Sequence, residues 1–403
     1  MKRKKQECNS PSDQLDPIPN DLMVEIFSRL PGTSLMKFQY LSKFWFSIIR
    51  SKRFIDSFFS RSLNRGSRLL ITLNNINENG EKRLFFFSAS NEGANKYFPS
   101  SLVANLDMII PSGDAHYHFP QGTIVHGFIC CSYHGQFLIC NLITRQIVTI
   151  PKSGDYKFTY NYLGYDPIDD QYKALCMMAS QSDYGDIKHK VLTLGRGDNK
   201  NHSWRQIKDN TEPYMPSTKG ICINGVVYYG ASISDKNVIV CFDVRLEKIC
   251  LMNPPFSIKY WDHDHGTNLI NYKGKLAVIC TTGLRASHGY GFILRILENV
   301  EKREWSKKTY KFPQSWLNST MISSYSYIGI NKTGEIILAP NVLPRNLEPF
   351  YIFYCDVTSQ DIRRVRLEGI ADDEEFMRHY GIGDKSVRYG YISSEYFEDI
   401  TFL

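Results

Sequence analysis

The chain has 403 residues, 42% of them hydrophobic, and a formal net charge of +7. That length holds two or three average domains, and so mild a charge does not by itself argue for a nucleic-acid binder. No apolar segment opens the chain and no stretch approaches the ~18 apolar residues of a membrane span, so neither a secretory signal nor a spanning helix is expected.

Residues 1–15 are polar and charged without periodicity and are expected to be disordered. Their Lys2-Arg3-Lys4-Lys5 run fits a solvated tail or a nuclear address, which leaves nucleus and cytoplasm both open. Residues 16–62 change character. From Asn20 to Phe59, 20 of 40 residues are apolar or aromatic. Leu22, Ile26 and Leu30 recur every four residues and predict a first helix. Pro31-Gly32 stops it, and Thr33 or Ser34 can cap a second helix carrying Leu35, Phe38 and Leu41. A third run places Leu41, Trp45, Ile48 and Ile49 on one side, and a short fourth turn offers Phe54, Ile55, Phe58 and Phe59. A piece this small cannot bury so much apolar surface alone, and each large side chain left wet forgoes about 1.5–3 kcal/mol. Part of it must be covered by the rest of the chain or by another protein.

Ile18-Pro19-Asn20-Asp21-Leu22, then Ile26-Phe27, Leu30-Pro31, Leu35 and Leu41-Ser42-Lys43 with Trp45, resemble the F-box. This is a short helical motif that docks onto a Skp-type adaptor in cullin-based ubiquitin ligases. Gln39-Tyr40 and Phe27 depart from the usual family pattern without disturbing the helical registers. The resemblance implies a small three-helix F-box whose adaptor contacts are Pro19, Leu22, Ile26, Leu30, Pro31 and Leu35, with Leu41 and Trp45 partly core.

After Arg65-Gly66 the chain turns to short β-type runs rich in Tyr, Phe, Ile and Val, cut by Gly, Asn and Asp turns. The 25 Tyr and 24 Phe suit pleated surfaces. A loose repeat emerges: 137–151, 189–207, 238–255, 292–313 and 351–369 each read as strand, polar turn, strand. Their turn centres lie 48–58 residues apart. A second hairpin precedes each, and 68–87 is a divergent first copy. Two hairpins per unit at a period of about 50 fit a kelch-like propeller blade. Six units over 66–403 predict a six-bladed β-propeller, in which 387–393 completes a blade with the first β strands. The alternative is a pair of β-sandwiches. The fold class is therefore α+β multidomain, a helical piece followed by a large all-β domain. HGFICC, NLITRQIVTIP, LGYDPIDDQYKAL, SWRQI and GICINGVVYYGA followed by FDVRLEKI, in that order, resemble the F-box-associated domain of a large plant family. That resemblance implies an interaction domain holding a degradation target.

The chemistry-bearing motifs are sparse. His116/His118 and His263/His265 are the close histidine pairs, too few for a metal site; no metal or cofactor is expected. No GxSxG elbow is present, and no acidic signature repeats at equivalent blade positions as a propeller glycosidase would need. Asp372-Asp373-Glu374-Glu375 reads as a solvated acidic loop. Ten cysteines, none in a CxxC pair, read as reduced, buried small hydrophobes. The reading is a non-catalytic substrate receptor that binds a Skp-type adaptor, through it a cullin, and an unidentified target. A propeller-type binding module or a nucleic-acid binder without ligase role is the alternative. For the target, aromatic loops nominate Tyr160, Tyr162, Tyr260 and Trp261.

Overall fold

The computed structural model describes residues 19–76, 82–90, 102–112, 123–133, 136–154, 158–179, 187–195, 203–208, 211–234, 236–258, 261, 267–282, 291–313, 325–340, 343, 349–380 and 390–403. Four helices come first: α1 (Asn20–Phe27), α2 (Gly32–Phe38), α3 (Lys43–Arg50) and α4 (Lys52–Arg65). The three helices expected are thus four, because the short fourth turn is a 14-residue helix. Ser51 caps it by accepting from the Phe54 N–H, and Phe54, Ile55, Phe58 and Ser62 form its buried stripe. Gly66, at φ 105°, ends it where a Cβ would be strained. Ser42 caps α3 in the same way, accepting from Trp45. The second helix departs from expectation. It begins at Gly32 behind an extended Pro31, with no side-chain cap of its own. The Gly32 N–H instead donates to Glu398 at 3.2 Å, so the orphan donor of this helix start is met by a residue from the far end of the chain.

The β region closes into six blades. β1 (Arg68–Ile76), β2 (Lys82–Ser90) and β3 (Leu102–Ser112) open it. Blade two is β4 (Ile124–Val125), β5 (Phe128–Tyr133), β6 (Gln136–Asn141) and β7 (Gln146–Ile150). Blade three is β8 (Phe158–Asp166), β9 (Gln171–Ala179), β10 (Ile187–Leu194) and β11 (Arg205–Gln206). Blade four holds β12 (Met215–Pro216), β13 (Ile221–Ile223), β14 (Val226–Ile233), β15 (Lys236–Asp243) and β16 (Lys248–Met252). Blade five is β17 (Thr267–Tyr272), β18 (Lys275–Thr282), β19 (Gly291–Asn299) and β20 (Glu304–Lys311). Blade six is β21 (Tyr325–Ile330), β22 (Ile336–Pro340), β23 (Tyr351–Cys355) and β24 (Ile362–Glu368). A short α5 (Glu374–His379) and β25 (Gly390–Tyr396) follow. β25 pairs antiparallel with β1, Ile71 opposite Ile392, so the first blade is completed by the last strand, as the sequence predicts. A short parallel pairing of Leu367 and Glu368 with Leu102 and Val103 also joins blades six and one.

The turns explain the repeat. Asn141, Asp166, Asp243, Asn299 and Asp356 each accept a backbone N–H two or three residues on. Four residues after each stands a non-glycine in the left-handed region: Arg145, Asp170, Glu247, Arg303 and Gln360. The side-chain carboxyl or amide closes the turn and the left-handed residue returns the chain into the next strand. Aromatic and branched residues fill the wedges between blades, as Tyr162, Val227 and Tyr229 do between blades three and four. The acidic run near the end is structural. Asp373 caps α5 through the Phe376 N–H at 2.7 Å, and Asp372 takes the Gly369 N–H and lies 3.4 Å from Arg366.

Candidate functional site

The helical module has two opposite faces. One is seated on the propeller. Leu35, Ile49, Phe54 and Phe58 are buried together with Ile143 of the β6–β7 turn and Ile400 of the C-terminal segment. A Cβ on Gly32 would lie 2.7 Å from an Ile143 methyl, so only glycine lets α2 approach this closely. Around this seam the Arg50 guanidinium stacks on Phe402 at 3.3 Å, Phe59 meets the His126 ring at 4.5 Å, Lys52 pairs with Asp170 at 3.1 Å, and Lys332 donates to the Asn64 carbonyl at 2.6 Å. Asn141 ties the C-terminal segment down, its amide donating to the Asp399 and Thr401 carbonyls.

The other face is bare. Tyr40 is 82% and Leu41 67% exposed, and Leu22, Ile26, Phe44 and Phe46 are about half exposed. Inside the module Phe27 packs edge-on to Phe38 at 5.0 Å and tilts against Trp45 at 4.3 Å, which holds α1, α2 and α3 in register. Glu25 accepts from Arg29, whose hydrogen bond holds its carboxyl below the usual carboxylate range.

The sequence-predicted contacts divide accordingly. Pro19, Leu22, Ile26, Pro31 and Leu41 are exposed, while Leu30 and Trp45 are half-buried. Leu35 is wholly buried in the seam and is corrected from a contact residue to a seam residue; helical period placed it on an apolar face but could not say which body covers that face. Tyr40, Phe44 and Phe46 were missed; the Phe44-Trp45-Phe46 run was the signal, since three consecutive aromatics on a helix cannot all point inward.

The target nominations fare worse. Tyr162 is fully buried, stacks on Tyr229 at 4.2 Å and donates to the Thr218 carbonyl. Trp261 is buried over Gly230 and donates to the Ala231 carbonyl at 3.1 Å. Both are corrected to wedge residues, since blade packing consumes such rings. Tyr160 is half-buried on β8, and Tyr260 lies outside the described residues, as do both histidine pairs. Among the described residues no group of three metal-binding side chains occurs, and no helix is long and apolar enough to cross a membrane. Cys250 is exposed, unlike the buried majority of the described cysteines.

A half-buried carboxylate lies close to the seam. Asp107 is the extra residue of a β-bulge, where Phe86 faces Met108 and Phe87 faces Leu106. Burial pushes its carboxyl up to about 6, helped by the charge of Glu398 and opposed by Ser88, Arg68 and Arg145. Glu398, which holds Gly32, is also 3.6 Å from Arg68. Because the folded value exceeds the ordinary aspartate value of 3.8, the stability Asp107 contributes is complete below that pH and is lost as pH rises through about 6. Asp107→Asn is therefore expected to raise stability at pH 7.5 by about 1–2 kcal/mol, discounted for partial exposure, and to change it little at pH 4. Denaturant unfolding at the two pH values measures the difference.

Comparison with known proteins agrees with this architecture. Residues 15–57 match the F-box domain model, and residues 68–395 match the model of the F-box associated beta propeller domain. The chain is similar to the F-box protein At1g30790 of Arabidopsis thaliana, 47% identical over 97% of this chain and 99% of that one. It is also similar to the putative F-box protein At1g32660 of the same plant, 40% identical over 94% of this chain and 82% of that one, and to its F-box protein DOR, 35% identical over 91% and 93%. A helical module bare on one side, set on a six-bladed propeller and matched over nearly its whole length, belongs to the family of F-box proteins with an F-box associated β-propeller domain.

Proposed function

We propose that this protein is the target-recognition subunit of a Skp–cullin–F-box ubiquitin ligase. Its F-box binds a Skp-type adaptor, through that a cullin, and its propeller holds the protein to be ubiquitinated. The observation that carries this reading is the set of exposed apolar side chains Leu22, Ile26, Tyr40, Leu41 and Phe44 on a module whose other side is already seated. Several large apolar side chains left open on one small module mark an interaction site. The chain then supplies position rather than bond chemistry. Holding a target lysine beside an activated thioester raises its effective concentration. The seam serves that role, because a receptor whose two modules share a core fixes the target relative to the ligase. The rim of the propeller away from the F-box, to which the strands of every blade also lead, is where we place the target, with Tyr160 at its margin. The basic run Lys2–Lys5 supports work in the nucleus as well as the cytoplasm.

The test uses the full chain and a recombinant Skp-type adaptor in a calorimetric titration. Wild type is expected to bind. Leu22→Lys with Ile26→Lys, both at half-exposed positions, is expected to bind at least tenfold more weakly at unchanged thermal stability. Equal affinity of the two proteins would remove the ridge from the interface, and no binding by wild type would remove the ligase reading.

A further inference from the structure

The bare surface does not end with the helices. The blade turns that face the F-box carry an apolar residue shortly after the Asx position, and where the F-box covers it the residue is sealed, as Ile143 is. The next turns around this rim carry Ile168 and Leu246, which are 67% and 62% exposed. Both are held outward by the turn. Asp166 accepts from the Ile168 N–H at 2.9 Å, and Asp243 accepts from the Leu246 N–H at 2.7 Å. The left-handed Asp170 and Glu247 complete the two turns, so neither tip folds back onto the blade. The two turns are side by side, since Arg245 pairs with Asp169 at 3.8 Å and Lys173 donates to the Arg245 carbonyl at 3.4 Å.

The blade-three turn borders the F-box at the edge of the seam. Lys52 pairs with Asp170, and its neighbour Arg53 pairs at 3.5 Å with Asp21, next to Leu22. Such exposed pairs contribute little energy, but they fix proximity. These two pairs link the residue before Leu22 to the turn that carries Ile168, and the Arg245–Asp169 pair links that turn to the one carrying Leu246.

We propose that Ile168 and Leu246 are a second contact for the same adaptor that the F-box holds, so that its footprint spans the F-box and blades three and four. This rests on the ligase reading above. Continuity with the ridge singles out the adaptor as the occupant. A partner lying on Leu22 and Ile26 and extending past Arg53 meets Ile168 next, whereas a target on the opposite rim meets neither. The two-module footprint also ties the orientation of the propeller to the ligase through a second point besides the seam.

The experiment compares adaptor affinity for the full chain, an Ile168→Asp/Leu246→Asp variant, and Val300→Asp. Val300 is another exposed turn residue, on blade five, 62% exposed. The double variant is expected to bind at least tenfold more weakly with its melting temperature unchanged, and Val300→Asp within twofold of wild type. If wild type and the Leu22→Lys/Ile26→Lys variant differ as predicted while the Ile168/Leu246 variant binds within twofold of wild type, the second contact is overturned and the ligase reading stands. Equal weakening by Val300→Asp, or a wild-type dimer in light scattering that the double variant dissociates, also overturns it, the latter by assigning the patch to a second copy. Failure of wild type to bind removes both readings.

Discussion

Replacing Phe58 by alanine is expected to cost about 3–5 kcal/mol and to separate the two modules. Phe58 is fully buried in the seam, its ring meeting Gly32 of α2 in the cluster that joins Leu35 and Phe54 to Ile143 and Ile400. The truncation removes the ring that fills the space between α4 and the β6–β7 turn. That turn is held rigid by Asn141, so it cannot collapse into the void, and the cavity remains. Calorimetry of wild type should show the helical module and propeller melting together. In Phe58→Ala the helices should melt first as a separate transition. A single transition shifted by less than about 1 kcal/mol would mean that the seam contributes little and that the modules are only tethered.

Asn141→Ala is expected to cost about 2–4 kcal/mol, from several buried polar groups losing their partners at about 1–3 kcal/mol each before water relieves some of them. The Asn141 side chain makes four hydrogen bonds: its oxygen accepts from the Ile143 and Thr144 N–H groups, and its amide donates to the Asp399 and Thr401 carbonyls. Aspartate there would keep the turn bonds but lose both donors, and would bring a carboxylate against two carbonyls. So Asn141→Asp should be no better tolerated than alanine, whereas in the turns of Asp166 and Asp243, which carry no C-terminal segment, Asn and Asp should be interchangeable within about 1 kcal/mol. Chemical denaturation of the four variants separates the two roles of the residue. If Asn141→Asp equals wild type, the C-terminal segment is not held through this amide.

The two results bear on the same structural point. The C-terminal residues close the propeller through β25, then pass under the F-box, where Glu398 holds Gly32 and Phe402 lies beneath Arg50. Residues 396–403 thus hold the helices of residues 20–65 in place. The seating of the F-box is complete only when the ring is closed.

The sequence by itself determined the helical registers of the F-box, the blade repeat and the closure by the last strand. These follow from short-range rules: apolar spacing selects helix or strand, and an Asx followed by a left-handed residue makes the same turn wherever it recurs. It determined the family as well, because the motif residues that carry it are contiguous. The tertiary structure alone decided which side of each amphipathic element is covered. Leu22 and Leu35 have the same periodicity credentials, yet one is bare and the other sealed against Ile143. Tyr162 and Trp261 look like loop aromatics until the neighbouring blade closes over them. Asp107 looks like an ordinary surface carboxylate until a bulge turns it inward beside Ser88. The reason is common to all three. Periodicity states which residues share a face, but the free energy of that face depends on what is packed against it, and the partner can lie 366 residues away, as Glu398 does from Gly32.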